Sequence, residues 1–342
     1  CSHGMNVSID DVQDYYSDNY NINIDSEDED QLYEVKGGKN VFRTDHQLEV
    51  FKSHYPDLSH ANLLDYGCGK SSMGKKIGEQ HDGVSVFLFD VSNSYKKYWE
   101  KITSFEKTAT YDIPESWNAK FDIITSFFSL EHINDVSGCL ERMNALLNPS
   151  GEVYIVVPNV LNNVADLVVI DHVNHFTALS IETALKRANF SNIVVDEKSH
   201  RGVFVVKAKK SAFLIKEYLP KKKEVDSVLK ELLPIASFWD GIGEIVAREE
   251  ANLSTEIIIY GAGFYGSFLY TLIKDKSKIS HFVDSNEFLQ KKSLFDLEVK
   301  SLETLSHAGK NKVFVGLNPK IARQVIDKLE LPNKEYIDFV FI

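Results

Sequence analysis

A glycine-containing turn beside an acidic residue is the first feature of this sequence that could carry chemistry. Asp65, Gly67 and Gly69 stand in an Asp-Tyr-Gly-Cys-Gly run that follows the apolar residues 63–64. Glycine permits positive φ and a close approach of a ligand to the backbone, and such a turn after a parallel strand is where α/β sheets bind nucleotides. Asp90 ends the next apolar segment, where its carboxylate could accept hydrogen bonds from both hydroxyls of a ribose. Together these residues predict a nucleotide-binding site.

A second turn of this kind follows the strand-like residues 256–260. Gly261, Gly263 and Gly266 have dinucleotide-binding spacing, and Asp284 stands about 20 residues further on, where that fingerprint has an acid. On the motif alone, NAD would be the expected ligand, although the segment 255–342 is short for a complete six-stranded dinucleotide fold. Contact with a nucleotide and a purely structural tight turn both remain open.

Two histidines three residues apart form the third feature. His172 and His175 flank Asn174, and a histidine with a reference pKa of about 6.5 is suited to remove a proton near neutral pH. Asn174 could donate a hydrogen bond to a developing oxyanion. A structural role for the histidine pair is the alternative, as it is for Glu131 and His132. We predict no metal, because no cysteine or acidic ligand set stands near the pair in the sequence.

The elements that must position these residues follow an α/β pattern. Near-continuous apolar strands separated by helices predict a mostly parallel sheet covered on both faces. The predicted strands are 62–66, 84–90, 121–126, 152–157, 193–195, 202–206, 256–260, 281–284 and 312–316, and the predicted helices are 136–147, 181–188 and 319–329. We therefore predict a Rossmann-like domain over 46–210, a helical connector over 211–254 and a smaller Rossmann-like domain over 255–342.

The first 45 residues differ from the rest. They form an acidic, tyrosine-rich arm that contains Tyr15, Tyr16 and Tyr20, and residues 1–4 resemble a cloning remnant before Met5. The run of acids over 25–30 predicts a solvated segment, and the tyrosines could either cover a cleft or pack as an ordinary arm.

Composition narrows the class of protein. The chain has 342 residues, and 38 basic against 50 acidic side chains give it a formal net charge of −12. Such a charge argues against nucleic acid as the main partner. Cys1, Cys68 and Cys139 include no Cys-x-x-Cys pair, which argues against a zinc ribbon or a disulfide scaffold. No apolar stretch has transmembrane length, so we expect a cytoplasmic protein.

The segment 46–210 resembles the class I S-adenosylmethionine-dependent methyltransferases. The segments that carry the resemblance occur in the expected order: Asp65-Tyr66-Gly67-Cys68-Gly69, Phe89-Asp90, Phe121-Asp122-Ile123-Ile124, Ser129-Leu130-Glu131-His132, residues 146–151 and Val157-Pro158-Asn159. The resemblance implies S-adenosyl-L-methionine as cofactor, with Asp90 at the ribose and Asp65 orienting the turn or reaching the amino group through water. The implied cofactor-binding residues are Asp65, Gly67, Cys68, Gly69, Asp90, Asp112, Ser126 and Phe127, with Ser71 in place of a frequent third glycine.

The region after 158 resembles the bacterial sugar C-methyltransferases, which carry a Tyr-His-Glu-His run. The resemblance implies that His175 is the base, while Asn174 and His172 replace the glutamate and the tyrosine of that run. The C-terminal domain of that family helps to hold a nucleotide-sugar acceptor, which would give this role to Gly261, Gly263 and Asp284. The acidic arm stands where that family has a cysteine-rich zinc module.

These features together predict a methyltransferase that acts on a sugar, nucleotide-linked, in bacterial surface-polysaccharide or deoxysugar biosynthesis. A histidine would deprotonate the acceptor, with O- and C-methylation both open. Two alternatives remain: an NAD(P)-dependent oxidoreductase that uses the second glycine turn, and a non-catalytic nucleotide-sugar-binding protein. We expect a small-molecule acceptor as partner and neither nucleic acid nor membrane; a homodimer is left open.

Overall fold

The computed structural model describes residues 4–5, 30–37, 39–213, 218–253, 255–290, 292–307, 312–332 and 334–342. These fall into two compact units: the first is Cys1–Asn162 with Asp166–Leu229, and the second is Asn163–Ala165 with Lys230–Ile342. Tyr15, Tyr16, Tyr20 and the acids from 25 to 29 lie outside the described residues.

The first unit contains a seven-stranded sheet. Its strands are β4 (Asn62–Tyr66), β5 (Ser85–Asp90), β6 (Thr108–Thr110), β7 (Phe121–Phe127), β8 (Leu147–Pro158), β10 (Phe190–Asp196) and β11 (Val203–Lys210). Two further pairs of strands lie outside this sheet: β2 (Leu32–Lys36) with β3 (Lys39–Phe42), and β1 (Gly4–Met5) with β9 (Asn174–His175). The helices of the first unit up to residue 187 are α1 (Arg43–His54), α2 (Ser72–Gln80), α3 (Lys96–Trp99), α4 (Val136–Leu146) and α5 (Ala178–Arg187).

The strand order in this sheet is β10-β11-β8-β7-β4-β5-β6. Strands β4 to β8 pair in parallel, whereas β11 runs antiparallel to both β8 and β10. Because β4 pairs with both β5 and β7 while the chain continues from β4 to β5, the direction of winding changes beside β4. Ligands of open α/β sheets bind at such a point, outside the carboxyl ends of the strands.

Both faces of this sheet are covered. Successive side chains of a strand point to opposite faces, and the buried neighbours Leu63 and Leu64, like Ile123 and Ile124, belong to two different apolar cores. This double burial explains why the central strands have near-continuous apolar sequences, and the predicted α/β fold is confirmed.

The second unit has a six-stranded sheet in the order β14-β15-β13-β12-β16-β17. The strands are β12 (Ile257–Tyr260), β13 (Ile279–Val283), β14 (Ser293–Leu294), β15 (Leu297–Lys300), β16 (Lys312–Val315) and β17 (Asp338–Phe341), and the helices are α7 (Phe264–Leu272) and α8 (Ala322–Asp327). All pairs are parallel except β14 with β15. The predicted second Rossmann-like sheet is therefore present.

The predicted helical connector and one predicted strand can be compared with the observed boundaries. The helix α6 (Lys222–Ala251) lies within the predicted helical connector over 211–254, and the division between the two units falls inside this helix, after Leu229. Strand β8 begins at Leu147, whereas the sequence places the start of that strand at Glu152. Among the described helices, none combines the length and the apolar character that a membrane crossing needs.

Candidate functional site

The turn between β4 and α2 is held from two sides. Gly67 and Gly69 have φ of 68° and 50°. The backbone N–H groups of Gly67 and Cys68 both donate to the carbonyl of Phe89, at 2.8 and 3.0 Å. On the other side, a Cβ placed on Gly67 would lie 2.0 Å from Ser129 Oγ. The backbone at Gly67 therefore passes so close to the loop after β7 that no side chain fits there.

Asp65 supports this turn from the end of β4. The buried carboxylate accepts hydrogen bonds from Ser71 Oγ at 2.6 Å and from Thr125 Oγ1 at 3.1 Å. Burial raises the pKa of Asp65 to about 6. These contacts are those of a residue that orients the turn, which is the first of the two roles expected for Asp65.

Asp90 connects the turn to the end of β5. Its carboxylate accepts a hydrogen bond from the N–H of Gly69 at 2.7 Å and one from the N–H of Ser92 at 2.9 Å. Burial raises the pKa of Asp90 above its ordinary value. A carboxylate has about four acceptor positions, so Asp90 keeps capacity for a hydroxyl group beside the turn.

The surroundings of the turn fit an adenosyl cofactor. A Cβ on Gly69 would meet no atom closer than Tyr95 Cζ at 3.9 Å, so this part of the turn leaves open space. Ser126 is fully buried, and its hydroxyl has no hydrogen-bond partner among the residues that the structure describes. The ribose and the amino-acid tail of such a cofactor could use the carboxylate of Asp90, the open space at Gly69 and the hydroxyl of Ser126. Phe127 is half-buried and Asp112 is exposed; their cofactor contacts stay predictions.

A buried carboxylate joins the two predicted histidines. Asp166 is fully buried, and its two oxygens lie 2.7 Å from His172 Nδ1 and 3.0 Å from His175 Nδ1. Burial alone would raise the pKa of Asp166, but hydrogen bonds from the two imidazoles outweigh it and lower the pKa. An ionised Asp166 makes both Nδ1 atoms donors, which leaves the Nε2 lone pair of each neutral ring available.

The structure corrects the expectation for Asn174. Its Nδ2 donates to the carbonyl of Leu130 at 3.1 Å and to that of Ile133 at 2.6 Å. Both amide hydrogens are therefore used by backbone carbonyls, and Asn174 holds the loop after β7 instead of donating to an oxyanion.

Thr177 fixes the chain just after His175. Its hydroxyl accepts a hydrogen bond from the N–H of Ser180 at 3.1 Å, and Ser180 Oγ accepts one from the N–H of Thr177 at 2.9 Å. This reciprocal pair caps α5, and it sets the direction in which the chain leaves the histidine segment.

In the structure, Glu131 and His132 lie beside the predicted pair of histidines, although the two segments are far apart in the sequence. The rings of His132 and His172 lie 4.9 Å apart, edge to face, and His132 Nδ1 lies 2.9 Å from the carbonyl oxygen of Asp171. Glu131 is 1 % exposed, and burial raises its pKa to about 8. The ordered contacts depend on residues far apart in the chain, so spacing alone could not reveal them.

A basic and aromatic cluster also lies in the first unit. The guanidinium of Arg43 stands 4.7 Å from the ring centroid of Phe128, and Arg201 stands 4.4 Å from that of Tyr33. His46 stacks on Tyr33 with a centroid distance of 3.9 Å, and burial lowers the pKa of the neighbouring His200 to about 4. Arg43 therefore lies over Phe128, which belongs to the loop that contacts the glycine turn, and Arg201 lies over Tyr33 in the same unit.

The second glycine turn repeats the acid pattern of the first. Asp284 accepts a hydrogen bond from the N–H of Ala262 at 2.7 Å and one from the N–H of Asn286 at 2.8 Å. Gly261 has φ of 104°, and a Cβ there would lie 2.4 Å from the carbonyl oxygen of Gly316, whereas one on Gly263 would meet nothing within 4 Å. Close packing thus explains Gly261, and Gly263 borders open space.

Comparison with known proteins gives a family match for part of the first unit. Residues 45–195 match a family model described as a methyltransferase domain. The match covers less than half of the chain, and this part of it is similar to methyltransferase domains. S-adenosyl-L-methionine is the cofactor consistent with such a domain, as the resemblance implies. The match ends within β10, and it includes none of the strands of the second unit.

Solved structures that are similar to part of this chain include several methyltransferases. An S-adenosylmethionine-dependent methyltransferase from Mesorhizobium loti has 16 % identity and a TM-score of 0.40, over 48 % of this chain and 97 % of that one. One from Archaeoglobus fulgidus has 13 % identity and a TM-score of 0.41, over 49 % and 94 %. The 1,6-didemethyltoxoflavin-N1-methyltransferase of Burkholderia thailandensis has 20 % identity and a TM-score of 0.37, over 49 % and 78 %. No curated protein sequence matches the chain significantly.

Proposed function

We propose that this protein transfers a methyl group from S-adenosyl-L-methionine to a nucleotide-linked sugar. The observation that carries the methyl-transfer part is the glycine turn of the methyltransferase domain, in which Asp90 binds the N–H of Gly69 at 2.7 Å. The cofactor supplies a methyl group that is already activated by its sulfonium. The protein therefore has to position the two reactants and remove one proton from the acceptor, and positioning alone can lower a barrier by several kcal/mol.

The proposed base is His175. Its Nδ1 donates to Asp166 Oδ2 over 3.0 Å, which fixes the ring and directs the Nε2 lone pair away from the carboxylate. A carboxylate that orients an imidazole in this way also stabilises the imidazolium formed when the ring takes a proton. In the proposed reaction, Nε2 would take the proton of an acceptor hydroxyl or carbon acid. The oxygen or carbon that loses this proton would form the bond to the methyl group while the bond from sulfur to that methyl breaks, which releases S-adenosyl-L-homocysteine. His172 shares the carboxylate of Asp166 and is proposed to act at the same end of the site.

An anionic acceptor is supported by two guanidinium groups of the basic and aromatic cluster. Although the whole chain carries a formal net charge of −12, the guanidinium groups of Arg43 and Arg201 lie within one cluster of the first unit. Guanidinium groups bind phosphate oxygens through paired N–H donors. A nucleoside diphosphate joined to a sugar would offer such oxygens beside a hydroxyl that can be methylated.

The second unit is proposed to bind a nucleotide-linked sugar at its own glycine turn. Gly263 borders open space at the start of α7, and the turn around it resembles a nucleotide-binding turn. Gly261 and Asp284 would shape this turn by the contacts given above. The products of the enzyme would serve bacterial surface-polysaccharide or deoxysugar assembly.

The function is tested with the full chain, isotopically labelled S-adenosyl-L-methionine and a panel of nucleotide sugars. We expect transfer of label to at least one sugar, and a decrease of about 10²–10⁴-fold in turnover for His175→Gln. His60→Asn is the matched control, because His60 is exposed and has φ of 66°, which asparagine tolerates. Equal turnover in His175→Gln would remove the histidine base, and transfer to none of the sugars would refute the acceptor class.

The same protein should be titrated with NAD and NADH. Binding of a nicotinamide cofactor without binding of S-adenosyl-L-methionine would contradict the proposal in favour of an oxidoreductase. Binding of nucleotide sugars without any turnover would favour a non-catalytic protein.

A further inference from the structure

We propose that Glu131, His132 and His172 form a binding site for one borderline divalent transition-metal ion, with Zn²⁺ as the reference ion. One ligand atom from each of these side chains lies within 4.8 Å of the other two. The three residues come from the loop after β7 and from the segment before β9. The proposal concerns ion binding and does not depend on methyl transfer.

The carboxylate of Glu131 is the first observation that points to a ligand. Glu131 is 1 % exposed, and its Oε2 has no hydrogen-bond partner among the residues that the structure describes. A buried polar oxygen without a partner costs free energy. A cation placed against Oε2 would remove this cost, because an anionic oxygen is a strong ligand for a divalent ion.

The hydrogen bonds of the two imidazoles are the second, independent observation. His132 Nδ1 faces the carbonyl oxygen of Asp171 at 2.9 Å, and His172 Nδ1 faces Asp166 Oδ1 at 2.7 Å. An oxygen acceptor at this distance requires an N–H on Nδ1, so each neutral ring carries its lone pair on Nε2. Histidines that bind metals have this same arrangement, in which the other nitrogen donates to a carboxylate or a backbone carbonyl.

The ligand types determine the class of ion. Two imidazoles with one carboxylate suit Zn²⁺ or another late first-row ion, whereas Mg²⁺ and Ca²⁺ prefer several oxygen ligands. Bonds of about 2.0–2.2 Å would hold the three ligand atoms roughly 3.4 Å apart in a tetrahedral site. The three ligand atoms, of which each histidine offers Nδ1 or Nε2, now lie within 4.8 Å of one another, so they would have to move closer to bind one ion. Three protein ligands leave at least one position of the ion for water or another oxygen.

This proposal revises the prediction of no metal. In the sequence, His172 is followed closely by Asn174 and His175, whereas Glu131 and His132 stand in a distant segment. Asn174 holds that segment in place by donating to the carbonyls of Leu130 and Ile133, so the fold assembles a ligand set that the spacing did not reveal.

The site is tested by titrating the full chain, freed of metal by a chelator, with Zn²⁺ in a calorimeter. All proteins carry Cys1→Ser and His3→Ala, because the thiol and the imidazole near the first residue could bind Zn²⁺ on their own. We expect one Zn²⁺ per chain, with Mg²⁺ unable to displace it. Asp166→Asn, which disturbs only the orientation of His172 within the ligand set, should weaken binding about 10–100-fold, and Glu131→Gln and His172→Ala should weaken it at least as much.

His60→Asn serves as the control and should bind Zn²⁺ as the parent protein does. Unfolding curves recorded without metal show which variants are folded, and excess Zn²⁺ should raise the unfolding midpoint of the parent protein but not of Glu131→Gln. If Glu131→Gln does not fold, His132→Ala and His172→Ala provide the same comparison. Absence of a tight Zn²⁺ site in the parent protein, or equal affinity in the parent protein and the folded ligand variants, would overturn the proposal.

Discussion

Substitution of Gly67 by alanine tests the close contact that shapes the cofactor turn. A left-handed backbone costs a residue with a Cβ about 1–2 kcal/mol, and the more restricted unfolded chain offsets about 0.4–1 kcal/mol of this. The new methyl group would also lie 2.0 Å from Ser129 Oγ and 2.7 Å from Ser129 Cβ, and overpacking of this kind costs about 1–3 kcal/mol. We therefore expect Gly67→Ala to lose about 2–4 kcal/mol of unfolding free energy.

Two other glycines separate the backbone cost from the clash. Gly37 has φ of 57° and a Cβ there would meet nothing within 4 Å, and Gly69 has φ of 50° with its nearest atom at 3.9 Å. Gly37→Ala and Gly69→Ala should each lose only about 1 kcal/mol. Adding Ser129→Gly to Gly67→Ala removes both clashing atoms and should recover most of the difference.

The assay is urea unfolding followed by tryptophan fluorescence. Trp99 and Trp117 report on the first unit, and a Trp239→Phe background removes the signal from the second. With a slope of about 2–3 kcal/mol per molar urea, Gly67→Ala should lower the midpoint by roughly 1 M and the controls by less than half of that. A midpoint for Gly67→Ala equal to that of Gly37→Ala would refute the close approach to Ser129.

Three further predictions concern neighbouring parts of the site. The pKa of Asp65 is about 6 in the folded protein against 3.8 for the free group, so the folded state holds this proton more tightly. Asp65 contributes its full stabilisation below pH 3.8. This contribution, about 3 kcal/mol, is lost as the pH rises through 6. The unfolding free energy of Asp65→Asn, measured by urea unfolding, should therefore fall less between pH 4 and 7, by about that amount. Thr177→Ala removes the cap of α5 and should cost about 1 kcal/mol in the same assay, and an unchanged midpoint would contradict the cap. Asp90→Asn weakens a charged acceptor beside the turn and should lower the affinity for S-adenosyl-L-methionine at least about 10-fold by calorimetry, with Gly37→Ala as a control of unchanged affinity.

The fold could be predicted because burial on both faces gives the strands apolar sequences. Strands β4 and β5 follow such runs, and Asp65 and Asp90 stand at their carboxyl ends as the pattern indicates. Short or polar strands were missed for the same reason: β6 has only three residues, Thr108–Thr110, which carry little hydrophobic signal. Residues 148–151, Asn-Pro-Ser-Gly, have the composition of a helix end, yet β8 already begins at Leu147.

The histidine site shows where reasoning from local spacing ends. His172 and His175 were visible because they lie three residues apart. Asp166, which contacts both imidazoles, was not singled out, because a lone aspartate has no distinctive spacing. The approach of Glu131 and His132 to His172 depends on tertiary structure, and so does the use of the Asn174 amide by backbone carbonyls.

The central claim is that the turn at Gly67 and Gly69, with Asp90 beside it, binds S-adenosyl-L-methionine. Calorimetric titration of the full chain with this compound and with S-adenosyl-L-homocysteine tests the claim most directly. The structure predicts one site of the first unit that binds both compounds and is weakened by Asp90→Asn. Absence of binding for both compounds in folded protein would contradict the claim.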